Sequence, residues 1–426
     1  MVAKPVSPVE PPSLRRSLTL PLTVFYGLGT ILGAGIYSLI GEVAGSAGMY
    51  APLAFVIAAV IAAFTGLSYA ELSSRYPRSA GEAVYVQQGL GWPPLSTTVG
   101  LLIVFAGVVS SATLANAFVG YVQKLAILLS SPQFVTDAWY LGRVPIMVTA
   151  ILLLGGLALW GIRESVTVAS IMTVIELGGL VLIIFVNGGA LVDLETRWRE
   201  LVPPPDIDIW HGIFIAAFVA FYAFIGFEDM VNVAEEVKDA PRKLPRAIII
   251  VIVVSALLYF LVALSAVLAH PPEELVKSAA PMAVLYEQGT GRTPWLITLI
   301  SLFAVINGAL IQMIMASRIL YGISRRGWLP AALSYIHPGR RTPMVATVLT
   351  SVLILAAALP LGLRALADTT SFIILVVYIF INLSLIRIKR RDPIALGARI
   401  FPAWVPWLGL LTSLVFVVSK LLSLWR

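Results

Sequence analysis

Apolar runs of about twenty residues recur along almost the whole of this 426-residue chain. As a helix, a run of this length crosses the hydrocarbon core of a bilayer. Because hydrocarbon offers the backbone no hydrogen-bond partner, such segments must fold as helices or as a closed barrel. Only 12% of the residues are charged, whereas soluble proteins contain about a quarter. The runs therefore predict an all-α integral membrane protein without a sizeable soluble domain.

The runs divide into about eleven predicted transmembrane spans. These are 21–43, 49–75, 94–129, 143–160, 165–188, 209–236, 244–269, 293–324, 343–360, 364–388 and 402–424. An odd number of spans in each half orients the halves oppositely, so any repeat must be inverted. We therefore predict an N-terminal tail over 1–20, a five-helix repeat over 21–190, a second, inverted five-helix repeat over 191–390 and an additional helix over 391–426.

The basic residues are unevenly distributed between the two sides of this topology. With the N-terminus inside, 20 of the 29 Lys and Arg residues fall on cytoplasmic segments, as the positive-inside rule requires. This predicts a multi-pass protein of the plasma (cell inner) membrane with a cytoplasmic N-terminus. The same bias explains most of the net charge of +7, so we expect the lipid bilayer, and no nucleic acid, as a partner.

Two spans are interrupted by glycine at corresponding places in the two halves. The first contains GLGTILGAGIY over 27–37, and the second contains FYAFIGFED over 221–229. Glycine adopts non-helical backbone angles at little cost. In secondary transporters, paired interrupted spans mark the substrate site. The pairing predicts a transporter with discontinuous helices 1 and 6, although small residues at this spacing also serve close helix packing.

The two breaks expose different backbone groups. Freed N–H groups at Gly33, Ala34 and Gly35, at the positive end of the following half-helix, suit a carboxylate. Freed carbonyls over 223–226 suit a substrate ammonium, and the aromatic residues beside them predict a gate, with ordinary packing as the alternative. Further polar residues within the spans either line the cavity or link helices: Ser110, Ser111, Thr113, Asn116, Glu228, Asp229, Asn307, Gln312 and Ser317.

Glu176 lies in the middle of the fifth span with no basic residue within one turn. Ionisable groups at this depth are costly and are functional by default. We therefore predict that Glu176 binds and releases the coupling proton. The alternatives are a permanently protonated, hydrogen-bonding Glu176 and an ion pair with Arg318.

The chain offers no sign of enzymatic chemistry. It contains no cysteine and three histidines, and it has no phosphate-binding loop, hydrolase elbow or haem-attachment motif. We therefore predict no metal, no cofactor and no enzyme activity.

Four segments resemble the amino acid–polyamine–organocation (APC) superfamily of transporters, in the expected order. They are GTILGAGIY (29–37), SYAELSSRYPRSAGEAVYV (68–86), FIGFEDMVNVAEEVKDAPRKLPRAI (224–248), and ASRILYGISRRGWLP (316–330) followed by RTPMVAT (341–347). The resemblance covers roughly residues 17 to 390. It implies a five-plus-five inverted-repeat transporter fold that alternates between outward-open and inward-open states.

The resemblance also implies a substrate site. The family holds the α-carboxylate at the first break, which corresponds to Thr30, Gly33, Ala34 and Gly35. It holds the α-amino group at the second break, which corresponds to Phe221, Ala223, Phe224 and Ile225, with Tyr222 as the gate.

The chain departs from the family in three places. Several members carry a fifth-helix lysine where this chain carries Glu176. Members selective for cationic amino acids often carry an acidic residue in the third helix, and none occurs between Leu95 and Tyr121 here. Many members also have twelve spans rather than eleven.

Taken together, these features predict proton-coupled symport of small or neutral amino acids by alternating access. The alternatives are an amino acid exchanger of the same fold and, less compatible with the uniformly apolar spans, a channel.

Overall fold

In a computed structural model of the protein, residues 13–32, 34–129, 142–278, 280–359, 363–395 and 397–423 are described. Sixteen α-helices occupy most of these ranges. They are α1 Leu20–Ile31, α2 Ala34–Ala47, α3 Ala51–Arg75, α4 Gly81–Leu90, α5 Pro93–Leu129, α6 Arg143–Trp160, α7 Ile162–Val186, α8 Leu194–Arg197, α9 Ile207–Tyr222, α10 Ala240–Ala269, α11 Pro272–Val276, α12 Pro281–Thr290, α13 Trp295–Ser324, α14 Met344–Ala358, α15 Leu363–Arg391 and α16 Val405–Ser423. A 3₁₀ helix over Phe227–Glu236 continues the path of α9.

Within the described residues, nine stretches are long and apolar enough to cross a membrane. Two shorter apolar helices, Met344–Ala358 and Val405–Ser419, occupy the ninth and eleventh predicted spans. The eleven predicted spans thus all coincide with apolar helical segments. Their packed faces are apolar too, since the largest buried cluster is built mainly from Ala, Val, Leu and Ile.

Helices at equivalent positions in the two halves pack against each other. The second spans, α3 and α10, lie side by side, as do the third spans, α5 and α13, and the fourth spans, α6 and α14. The two broken spans also meet, because α9 packs against α2. This pairwise arrangement suits an inverted repeat, whose boundaries at 21–190 and 191–390 stay a prediction.

We call the side of the molecule at which the chain enters α1 the entry face, and the other side the opposite face. At the entry face, the segment before α1 pairs with the end of the 3₁₀ helix. The backbone N–H groups of Ser17 and Leu18 donate to the Glu236 carbonyl at 2.9 and 3.0 Å, and Lys238 N–H donates to the Leu18 carbonyl at 2.9 Å. Beneath this pairing, the buried Arg318 guanidinium forms an ion pair with Glu236 at 3.3 Å.

The last helix packs on α15 and α3, and one buried carboxylate links the segment before it to both of these helices. Glu71 on α3 accepts hydrogen bonds from Lys389 Nζ at 2.6 Å, Arg75 Nη2 at 2.8 Å and Phe401 N–H at 2.9 Å. Two cations and one amide therefore compensate this charge, and the link joins α3, α15 and the segment before α16.

Candidate substrate site

Both glycine-containing spans are interrupted in the structure. Helix α1 ends at Ile31 and α2 begins at Ala34; Gly33, which the sequence placed in the break, lies outside the described residues. Helix α9 ends at Tyr222, and the N–H groups of residues 223–225 each donate to the carbonyl three residues earlier. Gly226 follows with a φ of 129°, which is accessible to glycine and disfavoured for other residues. The 3₁₀ helix then begins at Phe227.

The two breaks touch each other. A Cβ atom on Gly35 would lie 3.0 Å from the Cα atom of Ala223, and one on Gly226 would lie 2.9 Å from the Thr30 carbonyl oxygen. The buried hydroxyl of Tyr259 on α10 lies 2.7 Å from the Ile31 carbonyl oxygen and 3.0 Å from that of Ala223. This one hydroxyl therefore contacts a carbonyl oxygen from each break. Such carbonyls need a donor from elsewhere in the protein, because the helix is interrupted there and hydrocarbon offers none.

A cavity of about 80 Å³ lies where the breaks meet. Its walls come from the two breaks and from α5, α13 and α15. The lining residues are Thr30, Ile31, Gly35, Ala106, Gly107, Ser110, Leu114, Tyr222, Ala223, Ile225, Glu228, Asp229, Gly308, Gln312, Met315, Thr370 and Ile374. The volume is enough for several water molecules or a small solute.

The structure brings together most of the break residues that we predicted for the site. Thr30, Gly35, Ala223 and Ile225 line the cavity, as does the predicted gate Tyr222. The side chain of Ala34 is not described, although its backbone begins α2.

The other two aromatic residues of the second break point away from the cavity. Phe221 packs edge-on against Tyr378 and Phe416, and Phe224 packs against Tyr259. The side chains of these two residues therefore serve ordinary packing, which was the alternative to a gate, and only their backbone lies at the break.

Of the nine polar residues named as either lining the cavity or linking helices, four line it: Ser110, Glu228, Asp229 and Gln312. Ser111 donates instead to the Ala309 carbonyl, which links α5 to α13. Asn116 binds the Ala358 carbonyl and Arg143 towards the opposite face. The remaining three are Thr113, which donates to the Val109 carbonyl of its own helix, Asn307, which contacts Glu176, and Ser317, which accepts from Arg318.

The sequence reasoning left open which polar residues of α5 and α13 line the cavity and which link helices. Ser110 replaces its neighbour Ser111, and Gln312 stands four residues after Gly308, on the same face of α13. The rotation of each helix about its axis decides which of its polar residues faces the cavity. The spans are too uniformly apolar for the sequence to show this rotation. Thr370 on α15 gave no signal in the sequence.

Two carboxylates give the cavity its electrostatic character. Glu228 Oε2 accepts from the Tyr378 hydroxyl at 2.7 Å and from Gly226 N–H at 2.9 Å. Asp229 Oδ2 accepts from Gln312 Nε2 at 2.6 Å. The described lining contains no Lys, Arg or His, so these carboxylates are held by neutral donors and face the cavity without a cation.

Glu176 occupies a separate buried site between α1, α7 and α13. Its Oε1 accepts from Asn307 Nδ2 at 2.8 Å, while its Oε2 has no partner within the described part of the chain. Asn307 Nδ2 also donates to Thr173 Oγ1 at 3.0 Å, and a Cβ atom on Gly29 would meet both of those side chains. The carboxyl therefore lies directly beside the first broken span, and Arg318 is not its partner, because Arg318 pairs with Glu236.

Residues 18–423 match the family model described as amino acid permease. The chain belongs to this family. The matched residues include both breaks and the residues that line the cavity between them. As a member of this family with several membrane-spanning helices, the permease is a multi-pass membrane transporter. Within the described residues, no group of His, Cys, Asp and Glu side chains is arranged to hold a metal ion.

The permease has relatives of known name. It is 28% identical over 395 residues to the branched-chain amino acid permease BcaP of Bacillus subtilis, covering 89% of this chain and 82% of BcaP. It is 27% identical to cationic amino acid transporter 3, mitochondrial, of Arabidopsis thaliana, covering 89% of this chain and 63% of that longer protein.

Its fold is similar to that of MhsT in complex with L-phenylalanine. The TM-score is 0.65 at 14% identity, covering 96% of the permease and 99% of MhsT. The predicted fold class, an all-α inverted-repeat transporter with discontinuous helices 1 and 6, is thereby confirmed.

Proposed function

We propose that the permease carries small amino acids across the plasma membrane by alternating access, coupled to proton symport. The observation that carries this proposal is the cavity between the two mutually touching helix breaks. Gly35 presents the positive N-terminal end of α2 to this cavity, which suits a carboxylate. The second break, with Glu228 beside it, contributes the acceptors that an ammonium group requires.

Small or neutral amino acids suit the volume of about 80 Å³. The pair Glu228 and Asp229, unaccompanied by a basic residue in the described lining, favours a second candidate: a substrate with an additional positive charge. A thermal-shift screen of the purified permease separates the two candidates. Stabilisation by alanine, serine or valine supports the first, and stabilisation only by lysine, ornithine or simple amines supports the second.

Glu176 is the proposed proton-coupling residue. It is fully buried, one of its carboxylate oxygens has no partner, and it lies against α1, one of the two broken spans. A proton gained or lost there changes the contact between α7 and α13 through Asn307. This change in contact would couple proton binding to movement of the broken span.

Proteoliposomes test the coupling. With a substrate identified by the thermal-shift screen, an acidic exterior should drive uptake into vesicles that contain no substrate. Uptake only into vesicles preloaded with substrate would establish the alternative, an exchanger. Currents above transporter turnover rates would instead indicate a channel.

Replacement of Glu176 separates a proton-coupling role from a structural one. Glu176→Gln retains the acceptor for Asn307 but cannot titrate, so uptake should lose its dependence on the pH gradient while binding remains. Glu164→Gln, in the first turn of the same helix, is the matched control and should retain the wild-type pH profile. An unaltered profile in Glu176→Gln would remove this residue from coupling.

A further inference from the structure

A second, larger pocket opens at the entry face, away from the candidate substrate site. It has a volume of about 840 Å³. The segment before α1, the turn between α3 and α4, the end of the 3₁₀ helix and the end of α13 form its walls. Six arginines line it, together with a single carboxylate, that of Glu235: Arg16, Arg75, Arg78, Arg325, Arg326 and Arg341.

Within the described residues, most of this positive charge is uncompensated. Among the six, only Arg75 has an ion pair in the described structure, with Glu71 and Asp392. Arg325 donates to the Tyr321 hydroxyl and Arg326 to the Gly322 carbonyl, both of which are neutral acceptors.

The other three arginines, Arg16, Arg78 and Arg341, have exposed side chains and no acceptor within the described residues. Glu235 accepts from the Ser79 N–H at 3.2 Å. As far as the structure describes the chain, the pocket therefore holds five arginines without an ion pair against one carboxylate.

The arginines are close enough to disturb one another. Burial lowers the pKa of Arg326; the Glu235 carboxylate offsets part of this effect, and the neighbouring charges of Arg78 and Arg325 lower the pKa further. Like charges gathered in a partly desolvated pocket destabilise the fold unless an anion offsets them. The positive-inside rule accounts for basic residues on this face, but it does not require that they converge on one concavity.

We propose that this pocket binds a phosphate-bearing anion. Guanidinium groups match phosphate oxygens through paired N–H donors, and arginine clusters are the usual protein receptor for such groups. The volume accommodates a diphosphate or a lipid headgroup. The bound anion bridges the segment before α1, the turn after α3 and the end of α13, and thereby holds these three segments together.

Melting of the purified permease in a neutral detergent tests the proposal, with sodium pyrophosphate compared against sodium chloride at equal ionic strength. A second arm compares nanodiscs of phosphatidylglycerol with nanodiscs of phosphatidylcholine. The test variant is Arg78→Gln/Arg341→Gln, which removes two exposed pocket charges. The matched control is Arg163→Gln/Arg246→Gln, which removes two exposed arginines of the same face outside the pocket.

We expect pyrophosphate to raise the melting temperature of the wild type and the control by several degrees. The apparent dissociation constant for pyrophosphate should be at least tenfold higher in the test variant. In chloride alone the test variant should melt no lower than the wild type, which shows that it folds. Stabilisation by phosphatidylglycerol with no response to pyrophosphate identifies a lipid headgroup as the source of the phosphate. Equal stabilisation of all three proteins, or stabilisation by neither probe, overturns the proposal.

Discussion

At the scale of single residues, Gly226 shows most directly why the second span is broken. Its backbone lies at a φ of 129°, and a side chain there would press on the Thr30 carbonyl. Strain of this kind costs about 1–3 kcal/mol before any steric clash is added. The glycine thus permits both the turn and the contact between the two breaks.

Gly226→Ala should therefore lower the melting temperature and abolish substrate binding, because the two breaks separate. Gly178→Ala is the matched control: it lies on an exposed helical face with no atom near the added methyl group, and should change stability by no more than about 1 kcal/mol. Circular dichroism melts and a binding assay check both variants. Normal binding by Gly226→Ala would refute the role of this contact.

Tyr259 is the second residue whose role depends on one atom. Tyr259→Phe removes the hydroxyl between the carbonyls of Ile31 and Ala223 and leaves the ring packing unchanged. Loss of one hydrogen bond costs about 0.5–1.5 kcal/mol, and more if a buried carbonyl is left unpaired. We expect a rise in the apparent KM of roughly three- to tenfold. Kinetics equal to wild type would show that the breaks stay in place without this hydroxyl.

Glu82 lies on α4, outside the candidate spans, and gives a pH prediction. Burial raises the pKa of its carboxyl from 4.5 to about 8. Because the folded pKa lies above the unfolded value, the contribution of Glu82 to stability is fully present below about pH 4.5 and is lost as pH rises towards 8. Glu82→Gln should make the melting temperature less dependent on pH in this window. The same pH dependence in both proteins would contradict this assignment.

At the scale of elements, backbone pairing joins the segment before α1 to the end of the 3₁₀ helix at the entry face. Leu18→Pro removes the N–H group that donates to Glu236. Thr19→Pro is the matched control, since no hydrogen bond from its N–H is present in the described structure. We expect Leu18→Pro to open the path from the entry face to the cavity.

A single cysteine at Ser110, on the cavity wall, reports this opening, because the natural chain contains no cysteine. A membrane-impermeant thiol reagent added at the entry face should label Ser110→Cys several times faster with Leu18→Pro than with Thr19→Pro. Equal rates would mean that this backbone pairing does not control access.

At the scale of the whole molecule, the uneven distribution of basic residues predicts the orientation. Single cysteines at Ala332 and Glu195 lie on exposed positions of the entry face and the opposite face, respectively. In intact cells, an impermeant reagent should label Glu195→Cys directly and Ala332→Cys only after permeabilisation. The reverse pattern would place the N-terminus outside.

The sequence located the spans and both breaks, because each is a local property of the chain. Runs of apolar residues must form helices in a bilayer, and glycines within them mark where a helix ends. The position of Glu176 within one such run was equally visible. Its contact with Asn307 was not, since 131 residues separate the two in the chain.

Tertiary structure alone decided which side chains meet at the cavity. Ser110 lines it while Ser111 binds α13, and Arg318 pairs with Glu236 rather than Glu176. These choices depend on the rotation of each helix about its axis. Almost uniformly apolar spans carry little information about that rotation, because lipid and protein interior are equally apolar surroundings. Packing between the two halves supplies it.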